Sequence, residues 1–425
     1  MEGLDFEAIE TAAKREAMRI AARAVEGKLN ADLSDYKGTF LPCSCGSRMR
    51  YAGRRERTFT TVLGVMTLIR AYYHCTSCGV GFVPRDQALL MEHSLSPGVT
   101  RMTGLSAAMV SFEEVSSLLS ELAGVTVNAK RAERTAETLG RDIAEDERKH
   151  IEPDGYVAST LYLGIDGTGI PIRPSELMGR KGKQTDGSSK TREVKLCTVW
   201  SAETRDKEGR PVRDEGSVTY SAAIESVADD GPFTQRVVRE AMRRGFDTAE
   251  RRVILGDGAH WIWNLAGERF PDAIEIIDRF HAKERLSEVA KAIYGIGSEL
   301  GKEWAKERSD ELDEGRLDDL LRILGVHASH CDEARKCRDY ITENRHRMRY
   351  PEFHAQGLCT STGVVEAGCK HAIGARLKRA GMHWTVQGAD AIIALRCTIL
   401  SGRFEDFWER RTEQAAHRAG TSTVR

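Results

Sequence analysis

Two textures of apolar residues divide this chain into modules. From Met1 to about Asn30, apolar positions return at helical spacing with Glu, Lys and Arg between them, which predicts one amphipathic helix. Between Leu41 and Pro84 the segment LPCSCGSRMRYAGRRERTFTTVLGVMTLIRAYYHCTSCGVGFVP is β-rich, with a turn expected at Gly64 and a pair of cysteines at each end. The helical period resumes from Pro97 to about His150, where SFEEVSSLLSELAGVTVNAKRAERTAETLG reads as helix, short Gly-containing turn, helix. EPDGY, Glu152–Tyr156, then predicts a linker.

From Ser159 to Asp278, strands and helices alternate. STLYLGID, TGIPIR and REVKLCTVWSAE read as strands, with SVTYSAAIES a candidate for one more; PFTQRVVREAMRRG reads as a helix, RRVILGD as a strand, HWIWNLAGERF as a helix and AIEIID as a strand. Three strands, helix, strand, helix, strand is the order of an RNase H-like core. From Arg279 to about Arg349 the pattern is helical and charged, too long for a simple crossover, and predicts an insertion. Thr362 to Trp408 returns to helix. The fold class predicted is α/β: an RNase H-like core with an all-helical insertion, preceded by a zinc-ribbon-like β module and a helix-turn-helix-like module. The expected boundaries are 1–40 for the helical segment, 41–96 for the β module and 97–152 for the helix-turn-helix-like module. The core is expected at 153–284 and 356–412, the insertion at 285–355 and a flexible tail at 413–425.

Bulk properties narrow the picture. A chain of 425 residues needs more than one core. With 63 Lys+Arg against 64 Asp+Glu, net charge steers toward no partner, so local clusters must carry any nucleic-acid argument. No run approaches the roughly eighteen apolar residues of a membrane span, and the N-terminus is acidic and helical rather than a signal peptide. A soluble, cytoplasmic protein with no membrane partner is expected. Ten cysteines, some paired closely and others scattered, fit a reducing compartment better than a disulfide framework. Cys197, Cys331, Cys337, Cys359, Cys369 and Cys397 form no pattern and read as small core residues.

Cys43, Cys45, Cys75 and Cys78 read as two knuckles joined by a hairpin, able to close a tetrahedral structural Zn²⁺ site. CTSCG has the usual spacing; CSCG is one residue tighter, which leaves His74 as a possible substitute ligand and free core cysteines as the plainer alternative. Four protein ligands would leave no open catalytic position. Arg48, Arg50, Arg54, Arg55 and Arg57 follow the first knuckle, either as a phosphate-binding surface or as the solvated charge of an edge strand. Lys130, Arg131 and Arg134 lie on the first turns of the second helix of the helical hairpin, as in a recognition helix, although many such hairpins bind nothing.

Three carboxylates have bland readings when taken singly. Asp166 and Asp257 each precede glycine at a strand end, a common turn, and Glu366 would be one more helix glutamate. In an RNase H-like sheet the ends of the first and fourth strands are neighbours and a later helix crosses beside them, so the three acids can converge. Two Mg²⁺ (or Mn²⁺) ions need such shared carboxylate oxygens, and activation of a water or DNA 3′-hydroxyl with stabilisation of the leaving oxygen is their use.

Four separated motifs, LGIDGTGIPI, VILGDGAHWIWN, IIDRFHAKERL and STGVVEAGCKHAIGARLKRAGMHWT, together resemble the DDE transposases of bacterial insertion sequences. The resemblance is to the Kra-type family in particular, distant relatives of the Mutator-like enzymes, and extends over most of the chain. It implies that Asp166, Asp257 and Glu366 match a catalytic triad, and that Asp278 and His281 match an Asp-x-x-His element steadying the active site or DNA. A satisfied core histidine is the alternative for His281. The resemblance also implies double-stranded DNA partners (terminal inverted repeats and target DNA) and a homodimer or higher oligomer. Trp384 stands where the family also has tryptophan; it either stacks on an unpaired base or closes the last helix as core. Lys370, Arg376, Lys378 and Arg379 follow Glu366 on the same helix and could track phosphates, while His371 reads as packing. The tight CSCG departs from the family's pattern. Two rival readings stay open: a DNA-binding derivative or regulator without catalysis, and a nuclease without strand transfer.

Overall fold

The computed structural model describes residues 5–151, 157–182, 184, 187, 189–227 and 231–421. The predicted linker Glu152–Tyr156 therefore lies outside the described residues. The chain forms two compact units that divide within one helix: Met1–Ile143 with Arg403–Arg425, and Ala144–Gly402.

The first unit opens with helix α1 (Phe6–Ala31), N-capped by Asp5. An antiparallel sheet of β1 (Phe40–Pro42), β2 (Arg48–Thr61), β3 (Gly64–His74) and β4 (Gly81–Phe82) follows in that order. Gly64, at φ +120°, closes the turn between β2 and β3, as expected. A register shift between Tyr51 and Arg54, where Gly53 takes φ +93°, inserts one residue into β2. β3 has no inserted residue, so its buried side passes from the face of Met66 and Leu68 to the opposite face, that of Ala71 and Tyr73. Then come α2 (Pro84–Ala88), α3 (Pro97–Met109), α4 (Phe112–Ala123) and α5 (Ala129–Lys149). The predicted helical hairpin is α4–α5: α4 starts with a Ser111/Glu114 capping box and stops at Gly124 in the left-handed conformation.

The second unit is mixed α/β. Its strands are β5 (Thr160–Pro171), β6 (Thr191–Ser201), a small hairpin β7 (Thr204–Arg205) and β8 (Pro211–Val212), then β9 (Thr219–Ala223), β10 (Arg251–Gly256) and β11 (Ile274–Ile277). Helix α6 (Pro232–Arg243) connects β9 to β10, and α7 (His260–Arg269) connects β10 to β11. The sheet order is β11-β10-β5-β6-β9; β11, β10 and β5 run parallel, β6 runs antiparallel to β5, and β9, antiparallel to β6, runs in the direction of β5. Leu161, Tyr162, Leu163 and Ile165 are all buried, as expected of a central strand covered on both faces. The two strands expected on either side of Asp166-Gly167 are one continuous strand: that dipeptide is not a turn, because β6 pairs with β5 without interruption from Leu161 to Pro171.

After β11 the chain is helical: α8 (Arg279–Tyr294), α9 (Glu299–Asp313), α10 (Leu317–His327), α11 (Asp332–Asn344) and α12 (Tyr350–Ala355). Next come α13 (Gly363–Gly368), a π-helical turn over Cys369–Gly374, α14 (Ala375–Leu377) and the buried α15 (Val386–Leu400). One difference from the expected boundaries concerns the end of the chain. Residues read as core helix to 412 and loose tail beyond instead form a single helix, α16 (Phe404–Thr421). It belongs with the first unit, where Arg411 pairs with Glu92 at 2.7 Å and Glu405 with Arg101 at 2.5 Å. Its apolar Phe404 and Phe407 are buried, a spacing of three that supplies the packed face.

Candidate functional site

The sheet register of the second unit sets three aspartates at one level. The last pair in the β10–β5 ladder is Leu255 with Gly164, and the last in the β10–β11 ladder is Gly256 with Ile277. Two further positions along β10 and β5, or one along β11, bring Asp257, Asp166 and Asp278 side by side at the carboxyl ends of parallel strands, where such sheets collect ligands and catalytic groups. The Asp278 N–H donates to the Gly256 carbonyl at 2.9 Å, which continues that alignment past the strands.

Asp166 shares its face of β5 with Gly164, two residues back. A Cβ on Gly164 would lie 2.1 Å from Val365 Cγ2 and 2.8 Å from the Trp200 ring, so the missing side chain lets α13 settle on the strand. Gly368 does the same toward Leu196, Tyr220 and Thr198, its virtual Cβ 2.9 Å from Leu196. The helix carrying Glu366 is thus laid against the sheet at two glycines. Burial raises the Asp166 carboxyl above its usual range and the charge of Asp257 adds to this, against bonds from the Gly167 N–H at 2.6 Å and the Cys369 thiol at 3.4 Å. Burial also pushes the Cys369 thiol far up, and Asp166 reinforces it, so Cys369 is a thiol that donates.

Asp257 turns Oδ1 back onto the Ala259 N–H at 2.9 Å. Gly258 follows at φ +94°, and its Cβ position lies 2.4 Å from the Tyr340 ring, whose hydroxyl donates to the Asp257 carbonyl at 3.1 Å. Asp278 is buried at 2 % exposure. Its Oδ1 caps α8 by accepting from the Phe280 and His281 N–H groups, and its Oδ2 accepts from both the N–H and the hydroxyl of Thr362, the N-cap of α13. Asp278 therefore ties the end of β11 to the start of the helix bearing Glu366. His281 is half-buried, not a core histidine; its Nδ1 lies 3.2 Å from Glu284.

The expected convergence of three carboxylates is only partly met. Glu366 is exposed and accepts from Lys370 at 2.6 Å, one helical turn on. Among the described residues, the three acids do not bring their ligand oxygens within 4.8 Å of one another. The aspartates are levelled by strand register, whereas Glu366 finds its i+4 partner first.

The cysteines of the first unit are gathered. Cys43, Cys45, Cys75 and Cys78 have all their sulfurs within 4.8 Å of one another and could hold a metal ion such as zinc. Cys43 and Cys78 are 3.6 Å apart, Cys43 and Cys45 3.4 Å, Cys45 and Cys75 3.7 Å. A tetrahedron with ligand distances of about 2.3 Å has sulfurs about 3.8 Å apart, close to these separations. Each knuckle turns on a left-handed glycine, Gly46 at φ +85° and Gly79 at φ +73°. The Ser47 N–H, with help from Cys43, lowers Cys45 to about 6, and the Cys78 N–H lowers Cys75. Although the Val80 N–H favours its thiolate, the neighbouring sulfurs of Cys43 and Cys75 push Cys78 up to about 12. That is the pattern of four thiols too close for all to ionise without a cation. The short CSCG spacing closes the set, and His74 is not needed; it stacks on Tyr72 instead.

The model of one family matches residues 44–412. The chain belongs to the Uncharacterised protein family (UPF0236). No curated protein matches it. Among solved structures it is similar to the Drosophila P element transposase strand transfer complex, at 10% identity and a TM-score of 0.25, over 75% of this chain and 80% of that chain. A likeness so low carries no weight for fold or activity.

The basic residues of this UPF0236 chain divide by their partners. Arg48, Arg50, Arg55, Arg57 and Arg134 are exposed, and Arg55 lies over the Tyr72 ring at 3.7 Å. Lys130 is exposed and pairs with Glu133. Three of the cations read as phosphate contacts are structural instead. Arg54 is committed to Asp35 at 2.6 Å, and Arg131 to the carbonyls of His93 and Ser94. Arg376 is fully buried, its guanidinium 5.0 Å from the Trp384 ring and bonded to Met382 Sδ at 3.1 Å. Trp384 is itself buried, donates Nε1–H to the Leu377 carbonyl at 3.0 Å and bridges Ile172, so it is core and not a platform for a base. His371, read as packing, is exposed. Lys378 is exposed and bonds Thr168 Oγ1; it and Arg379 lie beyond the end of α14, not on the helix of Glu366. The residue that sequence reasoning passed over is Cys369. Its spacing of three from Glu366 was the available signal, since it puts both on one helix face.

Proposed function

We propose that the second unit is an RNase H-like core and that the chain is a DNA transposase of the DDE type, cutting and joining DNA with Asp166, Asp257 and Glu366. The observation that carries this reading is the levelling of Asp166 and Asp257 on adjacent parallel strands, with the Glu366 helix seated on Gly164 beside them. The site suits a hard cation: two neighbouring carboxylates, one of them disfavoured as an anion by burial and by the other, offer oxygen ligands that a divalent ion would stabilise. When bound, Mg²⁺ or Mn²⁺ would supply a nucleophilic oxygen and neutralise the leaving oxygen. Asp166 and Asp257 would hold it from the strands, and Glu366 would join on releasing Lys370. Asp278 is a positioning residue that fixes the Glu366 helix through Thr362. The four cysteines would hold a structural Zn²⁺ in the β module. The exposed Arg48, Arg50, Arg55, Arg57, Lys130 and Arg134 would meet DNA phosphates in the first unit, and Lys370, Lys378 and Arg379 in the second.

A second reading, a DNA-binding derivative without catalysis, is favoured by the pairing of Glu366 with Lys370. Cleavage of duplex DNA carrying the repeats that flank the coding sequence, with Mg²⁺ or Mn²⁺, separates the two. The transposase reading expects cutting at the repeat and products joined to target DNA. Asp166→Asn and Asp257→Asn should reduce cutting at least about a hundredfold while leaving DNA affinity nearly unchanged. Binding without cutting by wild type would favour the derivative, and cutting without joining a nuclease. Asp166→Asn carries a second signature. A carboxyl whose pKa is raised on folding contributes stability that is fully present below its unfolded pKa and lost as pH rises through the folded one. At pH 7 the Asp166 carboxylate therefore burdens the fold, and the uncharged amide should raise Tm, by a margin that shrinks toward pH 4.

A further inference from the structure

Helix α1 has two opposed faces. Near its C-terminal end Glu26 accepts from the Thr67 N–H at 2.6 Å, and Asn30 bonds the Thr67 carbonyl at 2.9 Å and the Ile69 N–H at 2.8 Å. These side chains, with buried Ala22, cover the β3 edge that would otherwise stand unpaired. Among the described residues, the rest of the helix has no such support. Every residue from 5 to 20 is exposed, including Phe6 at 73%, Ile9 at 49% and Ile20 at 58%. Phe6, Ile9, Ala13, Ala17, Ile20 and Ala24 follow one another at intervals of three or four, so they form a single stripe on the side away from β3. About four turns of helix projecting into water are marginal by propensity alone and gain stability by burying such a stripe.

The charges of α1 are sorted along its length. Asp5, Glu7 and Glu10 are acidic and lie in the first turns; Lys14, Arg15, Arg19 and Arg23 are basic and follow, interrupted by Glu16. A parallel pair of such helices would set like charges side by side. An antiparallel pair sets the acidic turns of one copy against the basic turns of the other, brings Ile9 near Ile20 of its partner, and crosses near Ala13 and Ala17, which allow close approach. The geometry points to α1 as a self-association surface whose occupant is α1 of a second copy of this chain, packed antiparallel. The inference does not rest on the catalytic reading.

Sedimentation of the full chain without DNA tests it. Wild type should dimerise, and Ile9→Glu with Ile20→Glu should weaken the dimer at least about a hundredfold while far-UV circular dichroism stays native. Arg19→Glu with Arg23→Glu should weaken it as well, because these positions share the flank of Asp5 and would set acids against that acid of the partner, and adding Asp5→Arg should restore it in part. Wild type that stays monomeric to its solubility limit, or a dimer indifferent to the isoleucine changes, overturns the surface. A dimer that the arginine reversals leave unchanged or strengthen overturns the antiparallel arrangement.

Discussion

The two clusters of candidate metal ligands are built by opposite routes. In the first unit, sulfurs from two short turns already lie 3.4 to 3.7 Å apart for the pairs in contact, because each knuckle is a local backbone turn on a left-handed glycine and β1–β4 set the two turns together. In the second, the carboxylates come from elements distant in sequence. Strand register levels the aspartates, and each acid then takes a partner close at hand: Cys369 for Asp166, Ala259 for Asp257, Lys370 for Glu366. The candidate soft-ligand cluster is gathered by local turns, whereas the carboxylates are levelled by the sheet and each turns to another partner.

The largest effect should come from the cysteines. If they hold a structural metal, its binding free energy is folding free energy, an apparent value of about 10–16 kcal/mol in zinc-finger peptides. Purified wild type should contain one zinc per chain by elemental analysis, and Cys75→Ser should lose it and unfold the β module at a much lower temperature. Wild type without zinc, and a Cys75→Ser variant of unchanged Tm, would leave the four cysteines as free thiols.

A smaller change tests whether α13 depends on the bare strand beneath it. Gly164→Ala puts a methyl 2.1 Å from Val365 Cγ2, and the rigid Trp200 ring closes the other side. Overpacking of this kind costs about 1–3 kcal/mol. If Glu366 acts with Asp166, displacing its helix by an ångström should cost up to about a hundredfold in cleavage beyond the loss in folded protein. Gly169→Ala, farther along β5, meets chiefly Thr191 Oγ1 at 3.0 Å and serves as the control, with a small loss of Tm and cleavage retained. Equal effects of the two on cleavage would detach Glu366 from the site.

How far the sequence could be read follows the same division. The order of strands and helices from 160 to 277, the helical hairpin and the knuckles were legible, because period and turn chemistry are local properties. The uninterrupted strand through Asp166-Gly167 was not: an Asp-Gly pair has the chemistry of a turn, and only pairing with β6 keeps it extended. Arg54, Arg131 and Arg376 read as phosphate contacts because arginines are usually exposed. Their partners, Asp35, the 93–94 carbonyls and Met382 with Trp384, lie in segments that spacing alone cannot bring to them. Asp278 was singled out by resemblance, but its part in joining α8 to α13 through Thr362 depends on a contact 84 positions away.

The smallest effect concerns Tyr340, on α11. Its ring fills the space beside Gly258, Arg285 lies 4.0 Å from its centroid, and its hydroxyl donates to the Asp257 carbonyl. Burial pushes its acidity far out of the physiological range, so the hydroxyl is a fixed donor. Tyr340→Phe keeps the ring and the cation–π contact and removes one hydrogen bond, so stability should fall by about 0.5–1.5 kcal/mol. If Asp257 is only a turn residue, that loss in Tm is the whole phenotype. If Asp257 holds a metal, the loosened turn should also raise the Mg²⁺ concentration needed for half-maximal cleavage by a few-fold, with DNA affinity unchanged. A titration of cleavage against Mg²⁺ for wild type and Tyr340→Phe reads that difference. Coincident curves would confine the influence of α11 on Asp257 to packing.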